Sequence, residues 1–227
     1  MTLTALVATW AAPAWQAAEL PQVVTPGLAS APPSDAIVLF DGSSLDNWRK
    51  ADGSAAGWVI EKGVMLAVTG QGPVLSKQEF GDMQLHVEFA TPTVPQGSGQ
   101  GRGNSGVYMQ ARYEVQVLDS FENETYANGQ CGAIYGQHAP LVNASRQPGE
   151  WQSYDIVFRG ARYDEAGKKT LNATMTVLHN GVLIQDHSEV TGITTAAMNQ
   201  EGPSKGPLYL QDHGNPVRYR NVWVREL

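Results

Sequence analysis

The chain is short of charge, of cysteine and of long apolar runs, and each shortage excludes something. Charged residues make up 16% of its 227 residues, against roughly 25% in an ordinary soluble domain. The 15 basic residues form no block and are outnumbered by 22 acidic ones, leaving a net charge of −7. Phosphate backbones are held by basic stripes, so a nucleic-acid partner is excluded on charge. The single cysteine, Cys131, can close no intrachain disulfide and build no thiolate zinc cluster. Beside Gly132 and Ala133 it reads as a small buried residue. No run of 18 apolar residues occurs, so no transmembrane helix is expected. A long coiled coil would need far more Ala, Glu, Lys and Leu.

What is plentiful is glycine, 24 residues, alongside 13 prolines and an apolar share of 42%. That length and composition suit one all-β domain. Met1 to Leu20 is Ala-rich and free of Lys and Arg. It resembles the apolar part of an export signal without its basic start, so a bacterial protein exported to the periplasm or beyond is expected. Pro21, Pro26, Pro32 and Pro33 then make residues up to Ser34 an extended arm over the domain. The expected division is an export remnant and arm over 1–34 and a single domain over 35–227.

From Ile37 onward the pattern is strands and turns. Ile37 to Phe40 is a short apolar run, and Trp58 to Val68 reads as a hairpin around Lys62-Gly63. Met83 to Ala90 alternates, with Leu85, Val87 and Phe89 on one face and Gln84, His86 and Glu88 on the other. Ser105 to Met109 pairs with Tyr113 to Leu118. Trp151, Tyr154, Ile156 and Phe158 are spaced for a buried face, as are Trp58 and Trp223 in their strands, whereas Trp10, Trp15 and Trp48 fall in loops. Asn180-Gly181 between apolar runs has the preferred chemistry of a type I′ hairpin turn. About twelve strands without an internal repeat predict a two-sheet antiparallel sandwich.

Polar residues gather in four places: Arg102 to Gly106, Tyr113 to Ser120, Tyr135 to His138, and Gln211 to Asn215. Alternation places Glu114 and Gln116 opposite the face of Val115 and Val117, able to floor a cleft. The spacing Glu114, Gln116, Asp119 is similar to the Glu-x-Asp-x-x-Glu strand of laminarinase-like glycoside hydrolases. Gln replaces its middle Asp and Asp its last Glu, so the paired carboxyls of a retaining hydrolase, about 5–5.5 Å apart, are not expected. Asp212-His213 is a metal-ligand or acid–base pair in residue type, although neighbours on a strand point to opposite faces. His86, His179 and His187 read as structural.

Leu39-Phe40-Asp41-Gly42-Ser43-Ser44-Leu45-Asp46-Asn47-Trp48 resembles the opening signature of the bacterial 3-keto-disaccharide hydrolase family. Arg102 to Gly106, Tyr113 to Ser120, Gly149-Glu150-Trp151, His179-Asn180-Gly181, Gln211 to Asn215 and Arg220 to Leu227 resemble its later blocks, in order. The likeness runs from about Val24 to Leu227. It implies a concanavalin A-like jelly roll, an exported protein, and cleavage of glycosides already oxidised to a ketone at sugar carbon 3. Such chemistry needs a general base for the carbon 2 hydrogen and an electrophile for the enolate oxygen. The resemblance raises Glu114, His138 and Asp119 as catalytic residues and Arg102, Asn104, Gln116 and Gln211 as substrate-binding ones. Asp212 and His213 are raised as ligands of a divalent metal, with no organic cofactor. A non-catalytic carbohydrate-binding module or a structural domain of an exported assembly remains the alternative.

Overall fold

A computed structural model of the protein describes residues 20–227. The expected export segment lies outside them except for Leu20. Regular structure is almost all strand: β1 (Ile37–Phe40), β2 (Trp48–Arg49), β3 (Val59–Glu61), β4 (Val64–Leu66), β5 (Val74–Phe80), β6 (Met83–Ala90), β7 (Ser105–Met109) and β8 (Tyr113–Val117) fill the first half. β9 (Gln152–Arg159), β10 (Arg162–Tyr163), β11 (Lys169–Leu171), β12 (Ala173–His179), β13 (Val182–Val190), β14 (Gly206–Leu210) and β15 (Arg218–Glu226) follow. Among the described residues the helical pieces are single 3₁₀ turns at Gly99–Gly101 and Ala127–Gly129. None is long and apolar enough to cross a membrane.

The larger sheet runs β13-β12-β9-β6-β15-β4-β3, with β1 also on β15, and the smaller runs β2-β5-β14-β7-β8. Both are antiparallel throughout, with β10 and β11 as a separate ribbon. Stacked, they form a jelly-roll sandwich of the concanavalin A-like kind. The alternation of β6 drives the packing: Leu85, Val87 and Phe89 are fully buried and join Val107, Val115 and Val117 of the smaller sheet in one core cluster. Cys131 sits in that cluster, its Sγ 3.0 Å from the Tyr154 hydroxyl. Asn180 (φ 53°) and Gly181 (φ 79°) both take the left-handed backbone that a type I′ turn requires, closing the β12–β13 hairpin.

Two aromatic assignments change. Trp48 is not in a loop: it opens β2, is buried, and donates its indole N–H to the Leu39 carbonyl at 2.9 Å. Trp151 is not a core residue. It precedes β9 and is half-buried, with the Arg220 guanidinium 4.1 Å and that of Arg218 5.5 Å from its ring centre. Gln152 takes the inward position in its place and bonds His179 at 2.8 Å. β5 carries no clean period because the Ser76 hydroxyl caps the Gln78 carbonyl at 2.6 Å while Lys77, Gln78 and Glu79 turn to solvent.

The arm folds back as a loop closed by Ser34 N–H on the Thr25 carbonyl and Thr25 N–H on the Ser34 hydroxyl, both 3.0 Å. Its tip, Ser30, donates to Glu88 and accepts from Asn221 and Trp223 on the outer face of the larger sheet. This contact buries a polar row that would otherwise face water: His86 is 3% exposed.

Candidate active site

On β8, Val115 and Val117 enter the core, so Glu114 and Gln116 must project from the other face of the smaller sheet. The register sets Gly106 opposite Gln116 and Tyr108 opposite Glu114, with Tyr209 of β14 beside Tyr108. β7 and β8 floor a cleft of about 130 Å³ through Tyr108, Glu114 and Gln116. Its walls come from far apart in the chain: Asn104 at the start of β7, Tyr135 after the Gly132 bend, Thr195 and Ala196 from the segment before β14, and Gln211 and His213 after it.

Glu114 is the centre of the cleft. Its residue is 3% exposed, and burial pushes its carboxyl up to about 8, with the Tyr108 hydroxyl pulling modestly the other way. No cation enters that balance. Its backbone is pinned from both sides: Glu114 N–H donates to the Thr194 hydroxyl at 3.0 Å, and Tyr135 N–H donates to the Glu114 carbonyl at 3.2 Å. Gly106 leaves room for the carboxyl, since a methyl group there would overlap a Glu114 carboxyl oxygen.

The surrounding groups are phenols and amides. Tyr108 stacks on Tyr209 with ring centres 4.2 Å apart, accepts from the Gln211 amide at 3.1 Å, and has one hydroxyl proton to share between the Thr195 carbonyl at 3.0 Å and Glu114. Burial and the neighbouring Glu114 charge raise its phenol far above the ordinary range. Tyr135 shares a hydrogen bond with Tyr126, which together with burial lifts its phenol to about 12. Gln116 gives its amide N–H to Gln100 at 2.9 Å, and Asn104 gives its own to the Gln100 carbonyl at 2.7 Å. The side-chain carbonyls of Gln116 and Gln211 are buried without a hydrogen-bond partner. An unmet buried acceptor costs about 1–3 kcal/mol, so both are suited to receiving hydroxyl donors from a ligand.

Of the residues expected at the site, Glu114, Asn104, Gln116, Gln211 and His213 line this cleft. The others do not. His138 places Nε2 2.7 Å from the Glu189 carbonyl of β13 and ties its loop to the larger sheet. Asp119 lies two residues past the end of β8, where alternation has lapsed, and pairs with Arg102 at 2.7 Å. Two more of the Arg102 N–H groups go to the carbonyls of Phe121 and Glu122. The pair is a buried loop clasp, and Asp119→Ala is expected to cost about 3 kcal/mol by stranding the guanidinium, read as a lower urea midpoint at unchanged slope.

Asp212 is likewise a clasp. One oxygen accepts the N–H groups of Gly70 and Gly72 at 2.8 and 3.1 Å, and the other accepts Gly214 at 3.0 Å. His213 turns the opposite way, into the cleft. Among the described residues no three His, Cys, Asp or Glu side chains gather as a donor set. Asp212 faces the Gly70–Gly72 loop and His213 the cleft, so the two do not converge on one ligand position.

Tyr108 and Thr195 lie outside the four polar clusters of the sequence, and Tyr135 opens one of them without a role assigned to it. Tyr108 had a signal: it shares the parity of Gly106 on β7 and faces Glu114 across the pair. Thr195 had none, because its place depends on a contact with Tyr108, 87 residues away in the chain.

A two-sheet jelly roll with one buried carboxyl in a cleft on its smaller sheet defines the class of β-sandwich to which this chain belongs. Residues 35–225 match the 3-keto-alpha-glucoside-1,2-lyase-like domain. The chain is a member of that family, a carbohydrate-acting one. Its structure is similar to that of a candidate glycosyl hydrolase from Parabacteroides distasonis, at 44% identity and TM-score 0.87, covering 92% of this chain and 93% of that one. Two more candidate glycosyl hydrolases from that organism share the fold, at 20% identity and TM-score 0.62 (85% and 94% covered) and at 24% and 0.57 (85% and 99%). No curated protein is similar to the chain in sequence.

Proposed function

We propose that the protein cleaves glycosides carrying a ketone at sugar carbon 3, with Glu114 as the general base. The observation that carries this reading is that Glu114 is the one carboxyl among the described residues lining the cleft, held neutral-poised near 8 by burial. Ordinary glycoside hydrolysis needs two carboxyls across the scissile bond, and Asp119, the nearest in sequence, is committed to Arg102. A single base tuned near neutrality suits removal of a proton made acidic by an adjacent ketone.

The Glu114 carboxylate takes the hydrogen from carbon 2, and its C–H electron pair becomes the enolate of the carbon 3 ketone. The ketone re-forms as the C1–C2 double bond closes and the anomeric oxygen leaves with its bonding pair. Water adds at carbon 1 and the proton returns to carbon 2, completing a net hydrolysis. Tyr135 and His213 are the proton carriers left on the wall, suited to the leaving oxygen and the enolate. The unpartnered carbonyls of Gln116 and Gln211 accept sugar hydroxyls. Favouring this over a purely binding module is the buried carboxyl itself, which a lectin site has no need to leave without a cation.

Turnover of a 3-keto-glucoside in heavy water tests the sequence of steps. The 3-keto-sugar product is expected to carry solvent deuterium at carbon 2, seen by NMR. Product with its original carbon 2 hydrogen would mean direct displacement, and absence of cleavage would remove the activity.

A further inference from the structure

A polar cavity that the cleft chemistry does not use lies on the opposite side of the molecule, between the arm and the outer face of the larger sheet. It measures about 520 Å³, within the range of small-ligand sites. Its floor is a cross-strand grid: His86 of β6 faces Asp155 of β9 on one side and Trp223 of β15 on the other, with Gln84 of β6 two residues along. Its roof is apolar, formed by Val24, Pro26 and Pro33 of the arm.

The chemistry of the floor is specific. His86 Nδ1 is 2.7 Å from the Asp155 carboxylate, an acceptor that places a proton on Nδ1. Nε2 is then an acceptor, buried and without a partner, on a ring stacked 5.2 Å above the Trp223 indole. The Glu88 carboxylate stands 3.7 Å from it. The cations of the region are spent, Arg225 on Asp35 at 2.8 Å and Arg220 on Glu88 at 2.6 Å. What faces the cavity is thus rich in acceptors, with Ser153 and the amide of Gln84 to complement a ligand oxygen. An anion is repelled there. A ring with several hydroxyl donors and a C–H face for the prolines is matched.

We infer that this arm-roofed cavity is a second, non-catalytic binding site for a neutral saccharide, held through hydroxyl donation to His86 and Asp155. The inference does not depend on turnover in the Glu114 cleft. It would let the protein hold a glycan on one face while the opposite face works on a chain end.

The test uses the full chain with Glu114→Gln, which blocks turnover and leaves the outer face intact. Methyl α-glucoside is titrated while the Trp223 indole N–H and His86 ring resonances are followed by NMR. A saturable shift is expected, lost in His86→Phe and in the gentler Gln84→Ala/Ser153→Ala pair, which keeps the imidazole–carboxylate contact. Glucuronate is expected to bind at least about tenfold more weakly, a difference of about 1.4 kcal/mol. Glycerol, which offers hydroxyls without a ring face, is expected to be weaker too. No saturable shift, a shift unaltered in both variants, or equal binding of glucuronate or glycerol overturns the proposal. A protein that fills this site yet leaves 3-keto-glucosides intact would sink the proposed activity alone.

Discussion

Glu114→Gln is expected to lower kcat/KM for a 3-keto-glucoside by about 10²–10⁴-fold, the span a positioned general base contributes, with the fold unchanged. Gln is nearly isosteric and needs no cation, so the loss is of the base and not of packing. The native protein is expected to show kcat/KM rising with pH and levelling above about 8, because only the ionised carboxyl takes the proton and burial holds that ionisation near 8. A flat profile, or a Gln variant of native activity, would remove Glu114 from the chemistry. The same shift has a cost in stability with a definite sign. The folded carboxyl titrates above its ordinary value of 4.5, so between that value and about 8 the folded state binds more protons than the unfolded one. Its contribution is therefore fully present below pH 4.5 and lost as pH rises to about 8, at about 1.4 kcal/mol per pH unit at most. Thermal melts across that window are expected to favour Glu114→Gln progressively. Parallel melting curves for the two proteins would contradict the burial assigned to the carboxyl.

The parts of this molecule legible in the sequence are those set by local period. Leu85, Val87 and Phe89 against Gln84, His86 and Glu88 defined β6 and both its faces, and Val115 and Val117 against Glu114 and Gln116 did the same for β8. Asn180-Gly181 announced its own turn. Alternation does not say what covers a face, and there the reading ran out. The face carrying His86 and Glu88 is closed by the arm through Ser30, a contact no period encodes. His138 has the right chemistry for a base, but the bend after Ile134 turns it to Glu189. Asp119 and Asp212 sit beside genuine cleft residues in sequence, and each is consumed by the backbone or by a cation of its own loop. Charge scarcity helped to find the clusters without separating the working carboxyl from the clasps. Burial without a cation to answer the charge makes that separation, and it is a property of the packed chain.

Gly106→Ala tests how much of the site depends on space alone. Gly106 lies on β7 directly opposite Gln116, one step from the Tyr108–Glu114 pair. Its backbone is not in the left-handed region, so alanine is sterically allowed by the main chain and its smaller unfolded entropy favours folding by about 0.4–1 kcal/mol. The added methyl, however, would lie on a Glu114 carboxyl oxygen and 2.7 Å from Cε2 of Tyr108. Both obstacles are ends of side chains, and Glu114 yields more easily than a tyrosine stacked on Tyr209. The carboxyl is expected to swing aside, and a misplacement of about 1 Å costs on the order of 10²-fold in rate. The expected result is a hundredfold fall in kcat/KM with a melting temperature close to native and the alkaline rise in activity displaced. Native activity in Gly106→Ala would show that the base does not act from this position. A collapse in melting temperature would show that Tyr108 and the backbone, not the carboxyl, absorb the methyl.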